Sequence, residues 1–523
     1  MCDRKAVNAR MFKKILIANR GEIAVRILRA CRELNIRSVA VFSEADRASL
    51  HVRLADEAYP IGPAPSRESY LCIDKLMDVA RRAGCDALHP GYGFLAENPA
   101  LARACADAGV TFIGPPAEAM EMLGSKTECR QLARRSDVAT VPGALDAIER
   151  PEEAQLLAQS MSYPVILKAV AGGGGKGMRL VASEAEFAAA WRDASSEALN
   201  AFGDARLYLE KFLLKPRHIE IQILADAHGR VVSLGERECS VQRRHQKVVE
   251  EAPSPVMTPD LRRKMGEAAV RLARAGRYVN AGTVEFLVDA GLNFYFLEVN
   301  TRLQVEHSVT EQVTGLDLVK LQIAIAAGHR LPFAWESITP RGHAMEVRLY
   351  AEDPDNNFFP SPGKILSLHA PTGPGIRVDD GIYQGWTVPT DYDPLLSKLI
   401  AWGNSREETI ARLRRALDEY AVTGIKTNVG LFRRILSEPA FLRGEIHTRW
   451  LDELLQVRAP MESGPAAVRN ADPGAAQASL IAAALWQAAQ DGAGPDRIGA
   501  APAKEEISRW KLEGRRQQLD RTP

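Results

Sequence analysis

The chain contains no apolar run approaching the ~18 residues that a membrane-crossing helix needs, and no apolar segment follows its charged first ten residues, which excludes a secretory leader. Net charge is nearly absent. Lys and Arg number 67 against 66 Asp and Glu, leaving +1, so bulk electrostatics offers nothing to nucleic acid or to an anionic membrane. There is no Cys-x-x-Cys pair: Cys2, Cys31, Cys72, Cys85, Cys105, Cys129 and Cys239 are odd in number and scattered. That is the pattern of free thiols in a reducing compartment, with no zinc site, and a cytoplasmic location is expected. Cys239, flanked by Glu238 and Ser240, reads as a small packing residue. No internal repeat is evident.

What is present is ample core. The 523 residues are 46% hydrophobic and 25% charged, enough for roughly three to four soluble domains. From 11 to about 125, short apolar strands (Ile15 to Ala18, Ser38 to Phe42, Ala87 to His89, Thr111 to Ile113) alternate with helical stretches such as Glu22 to Glu33. That alternation predicts a doubly wound parallel sheet, whose ligands collect at the carboxyl ends of strands, where Gly21, Glu22 and His89-Pro90-Gly91-Tyr92-Gly93 fall. A smaller unit covers about 140 to 212 and an α+β unit about 213 to 458. It includes a strand pair, Thr283 to Val288 and Asn293 to Val299, turning at Asp289-Ala290-Gly291. Beyond 458 the composition shifts to Ala, Gly, Pro and Gln, with candidate helices at 474 to 490 and 504 to 520.

The strongest pattern lies between Glu298 and Glu306. Glu298, Asn300, Arg302, Gln304 and Glu306 alternate with the apolar Leu297, Val299, Leu303 and Val305. An extended chain sends alternate side chains to opposite faces, so one face mixes carboxylates, amides and a guanidinium. A solvated strand rarely does so, and buried charge requires a ligand, a metal or a partner. On the preceding strand Glu285 matches Glu298 and Asn300 in polarity, and hard oxygens on adjacent strands suit Mg²⁺ beside nucleotide phosphates.

The loop Gly172-Gly173-Gly174-Gly175-Lys176-Gly177 satisfies G-x-G-x-x-G but precedes the strand-like Met178 to Val181, where a dinucleotide site needs a helix. The P-loop pattern fails as well, since Val170 replaces its first glycine and Gly177 follows the lysine. A glycine-rich hairpin tip folding over phosphates remains, against a mobile surface turn. Lys168 ends the apolar strand entering that loop, where a lone ammonium is costly unless an anion meets it. Cys239 to Lys247 is dense in donors and, alone, reads as an RNA-contacting patch or a solvated loop; beside the metal strands it would be an anion-binding loop.

Asn19-Arg20-Gly21-Glu22-Ile23-Ala24, His89 to Phe94, Ala171 to Met178, Arg243-Arg244-His245-Gln246-Lys247 and Glu298 to His307 together resemble the biotin carboxylases, ATP-grasp enzymes of the biotin-dependent carboxylases. The resemblance runs from about 11 to 458. It implies an N-terminal domain over 11–125, an ATP-grasp domain over 126–345 with a lid at about 140–212, and a C-terminal domain over 346–458, with a helical or disordered tail over 459–523. The implied reaction phosphorylates bicarbonate with ATP; carboxyphosphate breaks down to CO₂ and phosphate, the phosphate deprotonates biotin, and the enolate captures CO₂. By motif match Glu306 is the base for bicarbonate, with Arg302, Gln304, the Val305 backbone and Lys247 holding it. Arg348 steadies the biotin enolate, with Tyr92 in the same site. Lys126, Lys168, Gly172, Gly173, Gly174, Gly175 and Gly177 grip ATP phosphates, with His218, Gln242 and His245 near them. Glu210, Lys211 and Leu213 meet the adenine, and Leu287 is a further ATP-binding residue. Glu285, Glu298 and Asn300 hold Mg²⁺ or Mn²⁺, two ions in all.

The resemblance has departures. The carrier motif Ala-Met-Lys-Met is missing and there is no room for a carboxyltransferase, so biotin is expected on a carrier protein and the carboxyltransferase on other chains. The family also implies a homodimer, serving an acetyl-CoA or related acyl-CoA carboxylase. Ser508-Arg509-Trp510-Lys511 faintly resembles the start of a subunit-contact domain. Two other readings stand beside this one. Another ATP-grasp ligase for a carboxylate or carbamoyl substrate is opposed by the intact Arg302, Gln304, Glu306 and Arg348. A catalytically inactive nucleotide-binding scaffold would have lost a base, metal ligand or lysine, and none is missing.

Overall fold

Ile15, Leu16 and Ile17 are apolar at successive positions, a pattern that suits a strand covered on both faces, and all three are buried. They belong to β1 (Lys14–Ile17), the centre of a parallel sheet with β2 (Arg37–Ser43), β3 (Glu57–Gly62), β4 (Ala87–His89) and β5 (Thr111–Phe112) in the order β3-β2-β1-β4-β5. The order reverses at β1, so the crevice between the carboxyl ends of β1 and β4 is the switch point where such sheets take ligands. Asn19 just after β1 ties it shut, its amide donating to Pro90 O at 2.7 Å and Tyr92 O at 2.8 Å. Helix α1 (Gly21–Glu33) starts there and buries Ile23, Ala24, Ile27, Leu28 and Cys31 against the sheet.

This computed structural model describes residues 11–144, 147–170, 177–333 and 338–456, apart from the side chains of 126 and 127. The described residues from 11 to 455 form one compact unit. Gly172, Gly173, Gly174, Gly175, the Lys126 side chain, Cys2 and everything expected of the tail fall outside the described residues. No described helix is long and apolar enough to cross a membrane.

A three-stranded antiparallel sheet follows, with β6 (Val165–Ala169) between β7 (Met178–Val181) and β8 (Leu207–Lys211). The segment after the glycine-rich stretch is thus a strand, as its composition predicts, and β6 and β7 close a hairpin around it. Gly177 has φ +73°, and a Cβ there would lie 2.9 Å from that of Ala169. The helices Pro151–Met161 and Glu184–Phe202 cover one face with Trp191, Phe187 and small alanines.

The largest element is an eight-stranded antiparallel sheet. Its order is β13 (Phe294–Asn300), β12 (Asn280–Val288), β9 (Arg217–Ala225), β10 (Val231–Arg243), β11 (Gln246–Ala252), β14 (His343–Tyr350), then the strands Leu395–Gly403 and Ile376–Asp380. It runs unbroken from β11 to β14, pairing Val249 with Val347 and Glu250 with Glu346. Two expectations are corrected. The extended alternation does not reach Glu306: β13 ends at Asn300, and Glu306, with φ −80° and ψ 11°, stands at the N-cap of helix His307–Thr314. The start of that helix demands the turn, so period two holds only to Asn300. The donor-rich 239–247 stretch is not a loop but a hairpin, in which only Arg244 and His245 lie between β10 and β11.

Candidate active site

One row of side chains crosses four strands. Register pairs Arg237 with Glu220, Glu220 with Glu285, and Glu285 with Glu298. Like charges directly opposed on a sheet are destabilising, and this row opposes three carboxylates. Cations offset them. Arg237, fully buried, pairs with Glu220 and donates to Gln222 at 2.6 Å, Thr310 at 3.0 Å and Thr283 at 3.1 Å. Lys247 Nζ reaches Glu220 Oε2 at 2.5 Å, Glu306 Oε1 at 2.7 Å and Glu285 Oε1 at 2.8 Å. His218 Nε2 lies 2.9 Å from Glu285 Oε2, and Gln242 holds its other ring nitrogen at 2.7 Å. Burial opposes the charges of Arg237, Lys247, His218 and Glu285, yet the pairings prevail. Lys247 is held protonated well above the ordinary lysine range and Glu285 ionised well below the carboxylate range.

Glu285 and Glu298 face each other because a bulge places Leu297 as an extra residue between the pairs Glu285–Glu298 and Phe286–Phe296. Bulges re-aim side chains next to functional sites. Asn300 donates to Glu285 at 2.9 Å and its carbonyl accepts from Arg302 at 3.2 Å. Two carboxylates and a carboxamide carbonyl, with a third carboxylate behind, are the hard oxygen set that Mg²⁺ takes; the residues fit the ion.

Glu285 and Glu298 of this row line a cavity of about 520 Å³. The small sheet contributes Ile166, Lys168, Met178, Glu210 and Lys211, and Leu213 just beyond it and Leu287 of β12 also line the cavity. Glu210 accepts from Lys168 and from Arg130. The Lys211 ammonium is directed instead at Ser162 O, 2.8 Å away. Gln242, His245, Lys247, Glu285, Glu298 and Asn300 line the middle. Arg302, Gln304, Val305, Glu306 and Arg348 close the far end. Every described residue expected at the site is therefore brought to this cavity, except Tyr92 and Gly177. Tyr92 lines an adjoining cavity of about 500 Å³ that shares Arg302, Val305 and Arg348.

At that far end Glu306 sits between cations, with Lys247 on Oε1 and Arg348 Nη2 on Oε2 at 2.9 Å. Burial alone would raise its pKa; Lys247, then Arg348 and Arg237, carry it far below the ordinary range. Arg348 also lies 2.5 Å from Glu250. Glu250 is pushed up to about 8 by burial, against the pull of Arg348, and its strand partner Glu346 to about 7 for the same reason. Arg302 is fixed by Glu97, 2.9 Å from its Nε.

Glu220, Arg237, Arg130 and Glu250 were not foreseen. The signal was present for Glu220, since His218, Glu220 and Gln222 alternate with Ile219, Ile221 and Ile223 in the same period-two pattern that singled out Glu298 to Asn300. The pairing of Arg237 with Glu220 depends on strand register, which a local pattern does not carry.

Family models match the chain in three consecutive stretches: "Biotin carboxylase, N-terminal domain" over 11–120, "Carbamoyl-phosphate synthase L chain, ATP binding domain" over 125–334, and "Biotin carboxylase C-terminal domain" over 346–453. The chain is 53% identical over 448 residues to the biotin carboxylase of Halalkalibacterium halodurans, covering 86% of this chain and 99% of that one. It is 51% identical over 443 residues to the biotin carboxylase of Nostoc sp., covering 85% and 99%. Among solved structures it resembles the biotin carboxylase domain dimer of the 2-oxoglutarate carboxylase of Hydrogenobacter thermophilus in complex with MgADP, ADP and bicarbonate. There the TM-score is 0.79 and identity 46%, covering 85% of this chain and 98% of that one. With matched models spanning most of its length and relatives at half identity, the chain belongs to the biotin carboxylases, ATP-dependent ligases of the ATP-grasp fold.

Proposed function

We propose that this chain carboxylates biotin on a carrier protein, using ATP and bicarbonate, as the first half-reaction of an acetyl-CoA or related acyl-CoA carboxylase. One observation carries the site assignment. Lys247 touches both Glu285 of the carboxylate row and Glu306 at the far end of the cavity. A single ammonium thus joins the place suited to a metal-bound triphosphate to the place suited to a second anion. Phosphoryl transfer between two anions is mainly positioning and charge neutralisation, and this junction supplies both.

In this reading Glu306 takes the bicarbonate proton, while Arg302, Gln304, the Val305 backbone and Lys247 orient the anion. Arg348 faces the adjoining cavity, where biotin would lie beside Tyr92, and its fixed positive charge meets the developing enolate oxygen. Lys168, His218, Gln242 and His245, with Lys126 and Gly172 to Gly175 and Gly177, face the phosphates; Glu210, Lys211, Leu213 and Leu287 take the adenine. Glu285, Glu298 and Asn300 would hold Mg²⁺ or Mn²⁺, two ions in all, which when bound offset triphosphate charge. We assign 11–125, 126–345, 346–458 and 459–523 as N-terminal, ATP-grasp, C-terminal and tail segments of a cytoplasmic homodimer that works with carrier and carboxyltransferase chains.

The deciding experiment measures ADP release with MgATP, with and without bicarbonate and free biotin. Bicarbonate-dependent release, stimulated by biotin and accompanied by carboxybiotin, is expected. ATP binding without such turnover would instead favour a ligase for another carboxylate.

A further inference from the structure

Lys398 lies on the strand Leu395–Gly403 between buried Leu396, Leu399 and Ile400, and is itself fully buried. An ammonium in such a place costs several kcal/mol unless good partners repay it. Its nearest partner is a carbonyl: Nζ donates to Val305 O at 2.8 Å. That carbonyl belongs to the peptide joining Val305 to Glu306. Next come Glu22 Oε1 at 3.4 Å and Asp379 Oδ2 at 3.8 Å. Glu22, in the first turn of α1, accepts the Tyr92 hydroxyl, and the Lys398 nitrogen sits 6.0 Å from the Tyr92 ring centre. One side chain of the last segment therefore touches the ATP-grasp segment directly and the N-terminal segment through one carboxylate. Both contacts lead to groups that line the cavity shared by Tyr92, Val305 and Arg348. Burial works against the Lys398 charge, but Glu22, Glu346 and Asp379 outweigh it and keep the group protonated.

We propose that Lys398 is a positioning residue for the substrate end of the site, holding the Val305–Glu306 peptide directly and the Tyr92 hydroxyl through Glu22. This rests on the reading that bicarbonate and biotin occupy that end. Misplacement by about 1 Å costs on the order of a hundredfold in rate, and a lost neutral hydrogen bond costs roughly tenfold in affinity.

The test uses the full chain, free biotin and three readouts: KM and kcat for bicarbonate-dependent ADP release, the KM for biotin, and the Kd of a non-hydrolysable ATP analogue with Mg²⁺. Lys398→Met is expected to lower kcat/KM for both bicarbonate and biotin on the order of a hundredfold, with analogue affinity unchanged. Glu22→Ala removes the acceptor of the Tyr92 hydroxyl and one carboxylate partner of Lys398 but leaves the Val305 carbonyl contact, so the biotin KM should rise about tenfold, a larger change than in the bicarbonate KM. Should Lys398→Met fail to fold, Lys398→Met with Glu22→Gln removes the opposed charges together and tests the Val305 contact by the same readouts. Wild-type constants in these variants overturn the proposal, and so does a parallel fall of all three readouts, which marks general damage. Absence of bicarbonate-dependent ADP release in the unaltered chain would overturn the proposed function itself.

Discussion

With Lys247 on one carboxylate oxygen and Arg348 on the other, Glu306 stays ionised across the physiological range. An anion that recruits either cation strengthens it as a base, because the charges holding its pKa down are then shared. Glu306→Gln keeps the shape and removes the proton acceptor. Bicarbonate-dependent ADP release should fall about 10²- to 10⁴-fold, with ATP affinity changed little; retained turnover would move the base elsewhere. Glu250 gives a pH test. Its folded pKa, pushed up to about 8, exceeds the ordinary 4.5, so the folded state holds a proton that the unfolded chain has released. Its contribution to stability is complete below about pH 4.5 and is lost as pH rises through 8, with a slope of at most about 1.4 kcal/mol per pH unit. Glu250→Gln should therefore show a smaller drop in Tm between pH 6.5 and 9 than the wild type. Equal slopes would mean that Arg348 keeps Glu250 ionised throughout.

Arg244 and His245 form the two-residue link between β10 and β11 with φ of +49° and +68°, the left-handed geometry that hairpins usually give to Asn-Gly or Gly. Non-glycine residues there carry about 1 to 2 kcal/mol of strain each. Arg244→Gly should raise the unfolding free energy measured in urea by up to about 1 kcal/mol after the entropy of glycine is subtracted, without weakening ATP binding. His245→Gly relieves the same backbone but removes a cavity wall, so nucleotide affinity should fall. Loss of affinity in both variants would mean that the turn conformation, and not the imidazole, is what matters. The turn itself was not legible in the sequence, because nothing in Arg-Arg-His-Gln announces a hairpin. Strand-by-strand polarity was legible. It paired Glu285 with Glu298 and Asn300, but failed past Asn300, where the start of a helix overrides the period of two. Lys398 repeats the pattern that singled out Lys168, a cation inside an apolar strand, and could have been found in the same way.

At the scale of the whole molecule, the row of Glu220, Glu285 and Glu298 opposes a bare triphosphate, so nucleotide binding is expected to depend on a divalent ion. ATP with Mg²⁺ should raise Tm through a stabilisation set by its concentration over Kd, about 2.7 kcal/mol at a hundredfold excess. With EDTA the triphosphate meets those carboxylates unscreened, and most of that shift should vanish. A shift that survives EDTA would show that Lys168, His218 and Lys247 suffice without a cation. The parallel N-terminal sheet, whose strand ends line a cavity, was readable from alternating strand and helix signals. The sheet common to the second and third segments was not, since its β11–β14 junction joins Val249 to Val347 across nearly a hundred positions of chain.

That shared sheet has a bearing on how such a protein can be recombined. Three family models tile the chain as if it were modular, and the seam between the last two lies between 334 and 346. Yet β14 straddles positions 345 and 346, with Arg348 on the far side bonded to Glu306 on the near one. A graft made at that seam takes β14 from one parent and its neighbour β11 from the other, with one partner of a buried ion pair from each. Exchange between relatives is therefore expected to succeed only when both segments travel together, and the N-terminal segment, though its sheet strands pair only among themselves, has to keep its Arg26–Glu311 and Glu22–Lys398 contacts as well.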